Sequence, residues 1–168
     1  ENNARYVESC CAGERSGLYY TCINSYLTAD ELAYIVNNSE SKIIITSIAK
    51  LPIVKEALAT CPAITLCLVV DGPENEQPFL NYQRAIAHYP TTAIVDECLG
   101  TAMLYSSGTT GRPKGIIRPL PEAPPSLILP VFAFLQNLWQ YRPDMVYLSP
   151  APLYHSAPQA AVGLAIRI

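Results

Sequence analysis

The sequence predicts an α/β fold in which alternating strands and helices form a largely parallel sheet covered on both faces. Three observations carry this prediction. Short apolar runs at 42–46 and 64–70 alternate with segments of helical apolar spacing at 28–38 and 51–60. The strand-like runs are continuous rather than alternating, the pattern of strands buried on both faces. The helical segments between them are long enough for the crossover connections that parallel neighbours need.

The elements follow in order. Residues 4–11 read as the tail of a helix, with Val7, Cys10 and Cys11 at helical spacing and Gly13 near its end. Residues 18–23 are rich in tyrosine and apolar side chains and suit a buried strand. Thr28-Ala29-Asp30-Glu31 is a capping box: the Thr28 hydroxyl can accept from the Glu31 N–H while the Glu31 carboxylate reaches back. The helix it starts runs to about Asn38 and buries Leu32, Ile35 and Val36. KIIIT, at 42–46, is a core strand, 51–60 a helix with Leu51, Val54 and Leu58 on one face, and 64–70 another strand. Residues 71–78, DGPENEQP, are a surface loop, and 79–88 read as a helix closed by His88, a cation that suits the helix dipole.

Residues 101–105 form a strand that leads into SSGTTGRPKG, from Ser106 to Gly115, after which Ile116 and Ile117 favour a second strand. Pro119, Pro121, Pro124 and Pro125 make 118–125 a stiff, extended and exposed connector. An apolar helix at 126–140 follows, with Trp139 and the phenylalanines in its core, then a strand at 145–148 and the segment SPAPLYHSAP at 149–158.

Composition bounds the function. The 168 residues suffice for one domain with a real hydrophobic core, are 50% hydrophobic and 15% charged, and carry a net charge of −3. No basic excess points to nucleic acid or an anionic membrane surface. Of the six cysteines, Cys10 and Cys11 are adjacent, and Cys22, Cys61, Cys67 and Cys98 fall in or beside apolar segments, without zinc-like spacing. Reduced, mostly buried thiols are the reading, which favours the cytoplasm. The most apolar segment, 127–139, is shorter than the roughly 20 residues a membrane span needs. No signal peptide is visible, and both ends read as cut: there is no initial methionine, and the chain stops inside the apolar run 164–168. An edge cut there would expose apolar surface and promote self-association.

The loop from Ser106 to Gly115 packs two hydroxyl pairs, three glycines and a lysine into ten positions. Closely spaced N–H groups, short hydroxyl donors and one mobile cation suit a polyphosphate. A Walker loop is excluded, because Lys114 is preceded by Pro113 and followed by Gly115, and the spacing of Gly108, Gly111 and Gly115 excludes a dinucleotide fingerprint. Arg112, restrained by Pro113, points to water.

The string YSSGTTGRPKG closely resembles the phosphate-binding loop of the adenylate-forming superfamily, which includes acyl-CoA synthetases, luciferases and peptide-synthetase adenylation domains. A looser likeness runs upstream through LYYTCIN and LTADELAYIVNNSESKIIITS. The resemblance assigns Ser106, Ser107, Gly108, Thr109, Thr110, Gly111 and Lys114 to nucleotide phosphates. His155, in APLYHSAP, resembles the PLxH segment at the inner end of the family's acyl pocket, where an imidazole can meet the substrate carboxylate; packing in a loop or capping a strand end is the other reading. RPLPEAPP is similar to a subset of bacterial acyl-CoA ligases, which tilts the resemblance away from amino-acid adenylation domains.

What the resemblance implies is a parent enzyme that uses ATP with Mg2+ to convert a carboxylic acid, in the fatty-acid range, to an acyl-adenylate and passes it to coenzyme A. The chain contains nothing like the family's later STGD and GRxD segments or its C-terminal catalytic lysine, so residues 1–168 are expected to be a single incomplete domain, without a C-terminal domain and inactive alone. The alternatives are a non-catalytic remnant with an anion-binding or interaction role, a peptide-synthetase adenylation domain, and a phosphate-binding module for another phosphotransfer.

Overall fold

The computed structural model describes residues 1–73, 78–106 and 111–168. Its elements are α1 (Ala4–Arg15), β1 (Tyr19–Tyr20), α2 (Ala29–Asn38), β2 (Ile43–Ser47), a 3-10 turn (Ile48–Lys50), α3 (Leu51–Leu58), β3 (Leu66–Val70), β4 (Phe79–Asn81), α4 (Tyr82–Ile86), β5 (Thr101–Ala102), β6 (Leu104–Ser106), β7 (Lys114–Ile116), α5 (Pro130–Trp139) and α6 (Ser156–Arg167). They fall into two compact units. One comprises Glu1–Cys22, Ile94–Leu104 and Ile117–Ile168, the other Ile23–Ala93 and Tyr105–Ile116.

The second unit is built on a parallel sheet of order β2-β3-β4. Ile43 pairs with Leu66 and Ser47 with Val70, and on the other side Cys67 pairs with Phe79. Successive side chains of β3 point to opposite faces, and both faces are covered. Cys67 and Val69 join Leu32, Val36, Leu51 and Val54 of α2 and α3, whereas Leu68 and Val70 pack with Tyr82 of α4. Val69, with no exposed surface, is the centre of the larger cluster.

The capping box forms as the sequence predicts. The Thr28 hydroxyl accepts from the Glu31 N–H, and the Thr28 N–H and hydroxyl both donate to the Glu31 carboxylate at 2.9 Å. These hydrogen bonds hold the Glu31 carboxyl below the usual carboxylate range. Leu32, Ile35 and Val36 are buried, as their spacing requires.

The first unit pairs β1 with β5, also in parallel, Tyr19 opposite Thr101 and Tyr20 opposite Ala102. Gly100 sits where α1 and the start of β1 crowd the chain, since a Cβ there would collide with the Gly13 carbonyl and the Leu18 backbone. Its N–H donates to the Glu14 carbonyl at 2.6 Å. The proline connector is extended yet tied down rather than free: the Pro121 carbonyl accepts from the Cys98 thiol, Ala123 from the Leu99 N–H, and Pro125 from Arg167. Arg167 also pairs with Glu14 at 2.8 Å and lies 5.8 Å from the centre of the Phe132 ring. All six cysteines are free. Cys10 and Cys22 share one hydrogen bond at 3.7 Å, which holds Cys22 below and Cys10 above the ordinary thiol range.

Several sequence expectations are corrected. Residues 79–88 are not one helix, because Phe79–Asn81 adds a third strand and only Tyr82–Ile86 is helical; His88 lies in the turn beyond. Three residues are too few to display a strand period. Residues 145–148 form no strand: Asp144 has a positive φ, Pro150 follows, and Val146 and Leu148 are exposed. Helix α5 is shorter than 126–140 and contains no buried residue, and Phe134 and Trp139 are exposed rather than core. Only Gln136 and Asn137 interrupt the apolar residues of this helix, which leaves its sequence with little to mark the covered side. Of the run 164–168, expected to be an exposed apolar edge, Leu164 is instead 1% exposed inside α6, whereas Ile166 is exposed. The first strand before the loop is divided into β5 and β6 at Met103, whose N–H donates to the Tyr20 carbonyl, and the second begins at Lys114 and leaves Ile117 outside.

Three outcomes follow for stability. Thr28→Ala should destabilise the chain by about 1 kcal/mol in urea unfolding. Because the Glu31 carboxyl is depressed in the folded state, its contribution is present at neutral pH and lost as pH falls below about 4.3 and through the folded value; Glu31→Gln should flatten that acid-side loss. Gly100→Ala should cost about 2 kcal/mol or more, read in the same unfolding experiment, since backbone and not a flexible side chain must move.

Candidate functional site

The candidate phosphate-binding residues follow β6. Ser106 closes that strand with its side chain region exposed, and Ser107, Gly108, Thr109 and Thr110 lie outside the described residues. Gly111 resumes the chain at φ +96, a conformation that side chains resist, and a Cβ there would meet no atom within 4 Å. Glycine is therefore set by backbone geometry, and the space beside it is open. Lys114 opens β7, is exposed, and forms no salt bridge among the described residues. β6 and β7 pair with one another, so Ser106 and Lys114 lie at the two feet of the loop.

Both feet are held by α2. The Tyr105 hydroxyl donates to Asn38 Oδ1 at 2.7 Å, and the Tyr34 hydroxyl donates to the Pro113 carbonyl at 3.2 Å. Burial pushes the Tyr105 phenol up, the Tyr34 phenol adds to this, and a hydrogen bond with Ser39 pulls the other way, so Tyr105 remains a donor at neutral pH. Arg112 is exposed, as expected, and also contacts the Tyr34 ring. Its guanidinium lies 5.1 Å from the centre of the Tyr34 ring, a cation–π distance. Tyr34, Asn38 and Tyr105 are neighbours of the candidate loop to which the sequence reading gave no place in the site. Their only signal is the four-residue spacing of Tyr34 and Asn38, which places both on one stripe beside the buried one.

His155 belongs to the other unit and is the N-cap residue of α6. It is exposed, makes no side-chain capping bond, and its ring centre lies 4.4 Å from that of Tyr154. The segment before it is anchored at both ends of a short stretch: Asn2 Nδ2 donates to the Ala151 carbonyl, the Leu153 N–H donates to Asn2 Oδ1, and the Tyr6 hydroxyl donates to the Leu153 carbonyl at 2.7 Å. Among the described residues no group of three His, Cys, Asp or Glu side chains could hold a metal ion.

Parallel strands covered by helices, with a glycine-rich strand–loop–strand segment between β6 and β7, define part of the N-terminal domain of an adenylate-forming enzyme. The chain belongs to the AMP-binding enzyme family, whose model matches residues 1–167. The long-chain-fatty-acid–CoA ligase of Thermus thermophilus is 29% identical over 116 residues, covering 69% of this chain and 21% of that one. The crystal structure of ATP-bound MatB from Rhodopseudomonas palustris matches with a TM-score of 0.63 at 27% identity, over 91% of this chain and 29% of that one. A second crystal structure from Rhodopseudomonas palustris, provisionally named a long-chain-fatty-acid CoA ligase, matches with a TM-score of 0.79 over 99% of this chain and 40% of that one; at 18% identity it bears on the fold alone. The chain spans about a fifth of the length of the curated relative.

Gly111→Ala should cost about 1–3 kcal/mol, because the positive φ and not lack of room makes the position demanding. Gly163→Ala, inside α6, where a Cβ also meets nothing within 4 Å and no positive φ is involved, should by contrast be neutral or stabilising when both variants are unfolded in urea.

Proposed function

We propose that the loop from Ser106 to Gly115 binds the polyphosphate of ATP within an AMP-forming acid–thiol ligase, which activates a carboxylic acid as its acyl-adenylate and transfers the acyl group to coenzyme A. The observation that supports this most directly is the loop itself: its feet are held by α2, Gly111 leaves open space, and Lys114 is exposed and free of carboxylates among the described residues. Ser106, Ser107, Gly108, Thr109, Thr110, Gly111 and Lys114 are the proposed phosphate contacts. Expulsion of pyrophosphate from ATP needs charge stabilisation and positioning rather than a protein nucleophile, and a loop of N–H groups and hydroxyls with the Lys114 cation provides both.

Magnesium would arrive with the nucleotide, held mainly by phosphate oxygens, since the described residues offer no ligand cluster for it. His155 is proposed to meet the substrate carboxylate. Its exposed imidazole stands at the start of α6, where the first N–H groups of a helix favour an anion. A fatty acid is the proposed substrate, in keeping with the curated relative from Thermus thermophilus. No helix among the described residues is long and apolar enough to cross a membrane, and the free thiols favour a reducing compartment, so the reaction is assigned to the cytoplasm. Because the chain spans about a fifth of that relative, we assign it a phosphate half-site and one wall of the acyl pocket, with little adenylation by this chain alone.

Equilibrium titration with MgATP should show binding, weakened about tenfold or more by Lys114→Ala, the loss of one charge-assisted hydrogen bond. Exchange of labelled pyrophosphate into ATP, with fatty and aromatic acids supplied in turn, should stay near background. Robust acid-dependent exchange would show that the chain is catalytically sufficient. Release of ADP in place of AMP would move the loop to another phosphotransfer, and absence of nucleotide binding would remove the ligand assignment altogether.

A further inference from the structure

Tyr34 and Asn38 are four residues apart on α2, so their side chains emerge on one face, one turn apart. Each reaches a different foot of the loop. Asn38 takes the Tyr105 hydroxyl in β6 at 2.7 Å, and Tyr34 gives its own hydroxyl to the carbonyl of Pro113, one residue before β7, at 3.2 Å. The other stripe of the same helix, Leu32, Ile35 and Val36, is buried. The helix is thereby fixed by the core and cannot follow the loop if the loop shifts. Arg112, the residue before Pro113, is exposed but lies over the Tyr34 ring, which draws this guanidinium to α2, whereas Lys114 is exposed and forms no salt bridge among the described residues.

We propose that Tyr34 and Asn38 are positioning residues for anion binding by the loop: together they fix the separation of its two feet and so the direction in which Lys114 is presented. The proposal rests on the reading that the loop binds a polyphosphate. A donor set assembled before the ligand arrives loses less freedom on binding, and two anchors on one rigid helix set a separation that a single anchor does not. Neither side chain touches the ligand in this assignment. Tyr34 acts through the Pro113 carbonyl and Asn38 through the Tyr105 hydroxyl.

Calorimetric titration of the full chain with inorganic pyrophosphate tests it. Tyr34→Phe keeps the ring under Arg112 and removes only the donated hydrogen bond; Asn38→Ala removes the acceptor for Tyr105. Each is expected to weaken pyrophosphate binding about fivefold, the size of one net hydrogen bond. Tyr105→Phe should match Asn38→Ala and add nothing to it, as expected for two partners of one bond. In a Lys114→Ala background the changes at Tyr34 and Asn38 should lose most of their effect, which a merely structural role would not cause. Unchanged affinity in Tyr34→Phe and Asn38→Ala, or an equal loss with and without Lys114, overturns the positioning role while leaving pyrophosphate binding itself intact. If the unaltered chain takes up no pyrophosphate, the polyphosphate reading fails instead. The clamp is then judged without ligand: faster amide hydrogen exchange at Lys114 and Ile116 in both variants supports it, and unchanged exchange overturns it.

Discussion

The structure around the candidate loop depends on the burial of one face of α2. Leu32 and Val36 press into the cluster centred on Val69, Ile35 is buried beside them on the same helix, and the Thr28–Glu31 capping box fixes where the helix begins. With start and rotation both determined, the positions at which Tyr34 and Asn38 emerge are determined as well. A loop rich in glycine has little internal preference for one shape, because each glycine leaves several backbone wells open. Both of its described flanks are bonded to α2. Here a side chain contact made for packing and a hydrogen bond made for position belong to the same ten-residue helix.

The same division of labour explains what could be read from the residues alone. The parallel α/β core was legible because its pattern is redundant: KIIIT and the apolar run through Val70 alternate with periodic helical segments, and the capping box marks a helix start within one residue. The loop was legible as a string of residue types whose chemistry points to phosphate. The supports of the loop were not. Tyr34 and Asn38 are an intermediate and an exposed position on a helix surface, and nothing in their identity shows that Pro113 and Tyr105, some 70 residues later in sequence, will lie beside them. Such pairings are a property of tertiary structure. The missed strand Phe79–Asn81 fails for a related reason, since three residues acquire their character from hydrogen bonding to Cys67–Val69 rather than from any period of their own.

Errors in the other direction came from apolar composition. The VFAFLQNLW segment invites the inference of a core helix, yet in α5 only the partly buried Phe132 is under the Arg167 guanidinium, while Phe134, Leu138 and Trp139 are exposed. Hydrophobic residues predict burial only when their arrangement says which side is covered. The proline connector shows the converse. Proline removes N–H groups but leaves carbonyls, and those of Pro121, Ala123 and Pro125 are used as acceptors that tie an apparently loose segment to Cys98, Leu99 and Arg167. His155 was found by resemblance of its surrounding string, and the structure adds its place at the start of α6 without a capping bond of its own.

The most direct test of phosphate binding by a loop held on α2 is a proton–nitrogen correlation spectrum of the labelled chain recorded during titration with inorganic pyrophosphate. Saturable shifts should centre on the amides of Ser106, Gly111, Arg112 and Lys114, with smaller changes at Tyr34 and Asn38 through their bonds to the loop's feet. Shifts spread over exposed lysines elsewhere, such as Lys42 and Lys55, or no saturable shift at Gly111 and Lys114, would contradict the assignment.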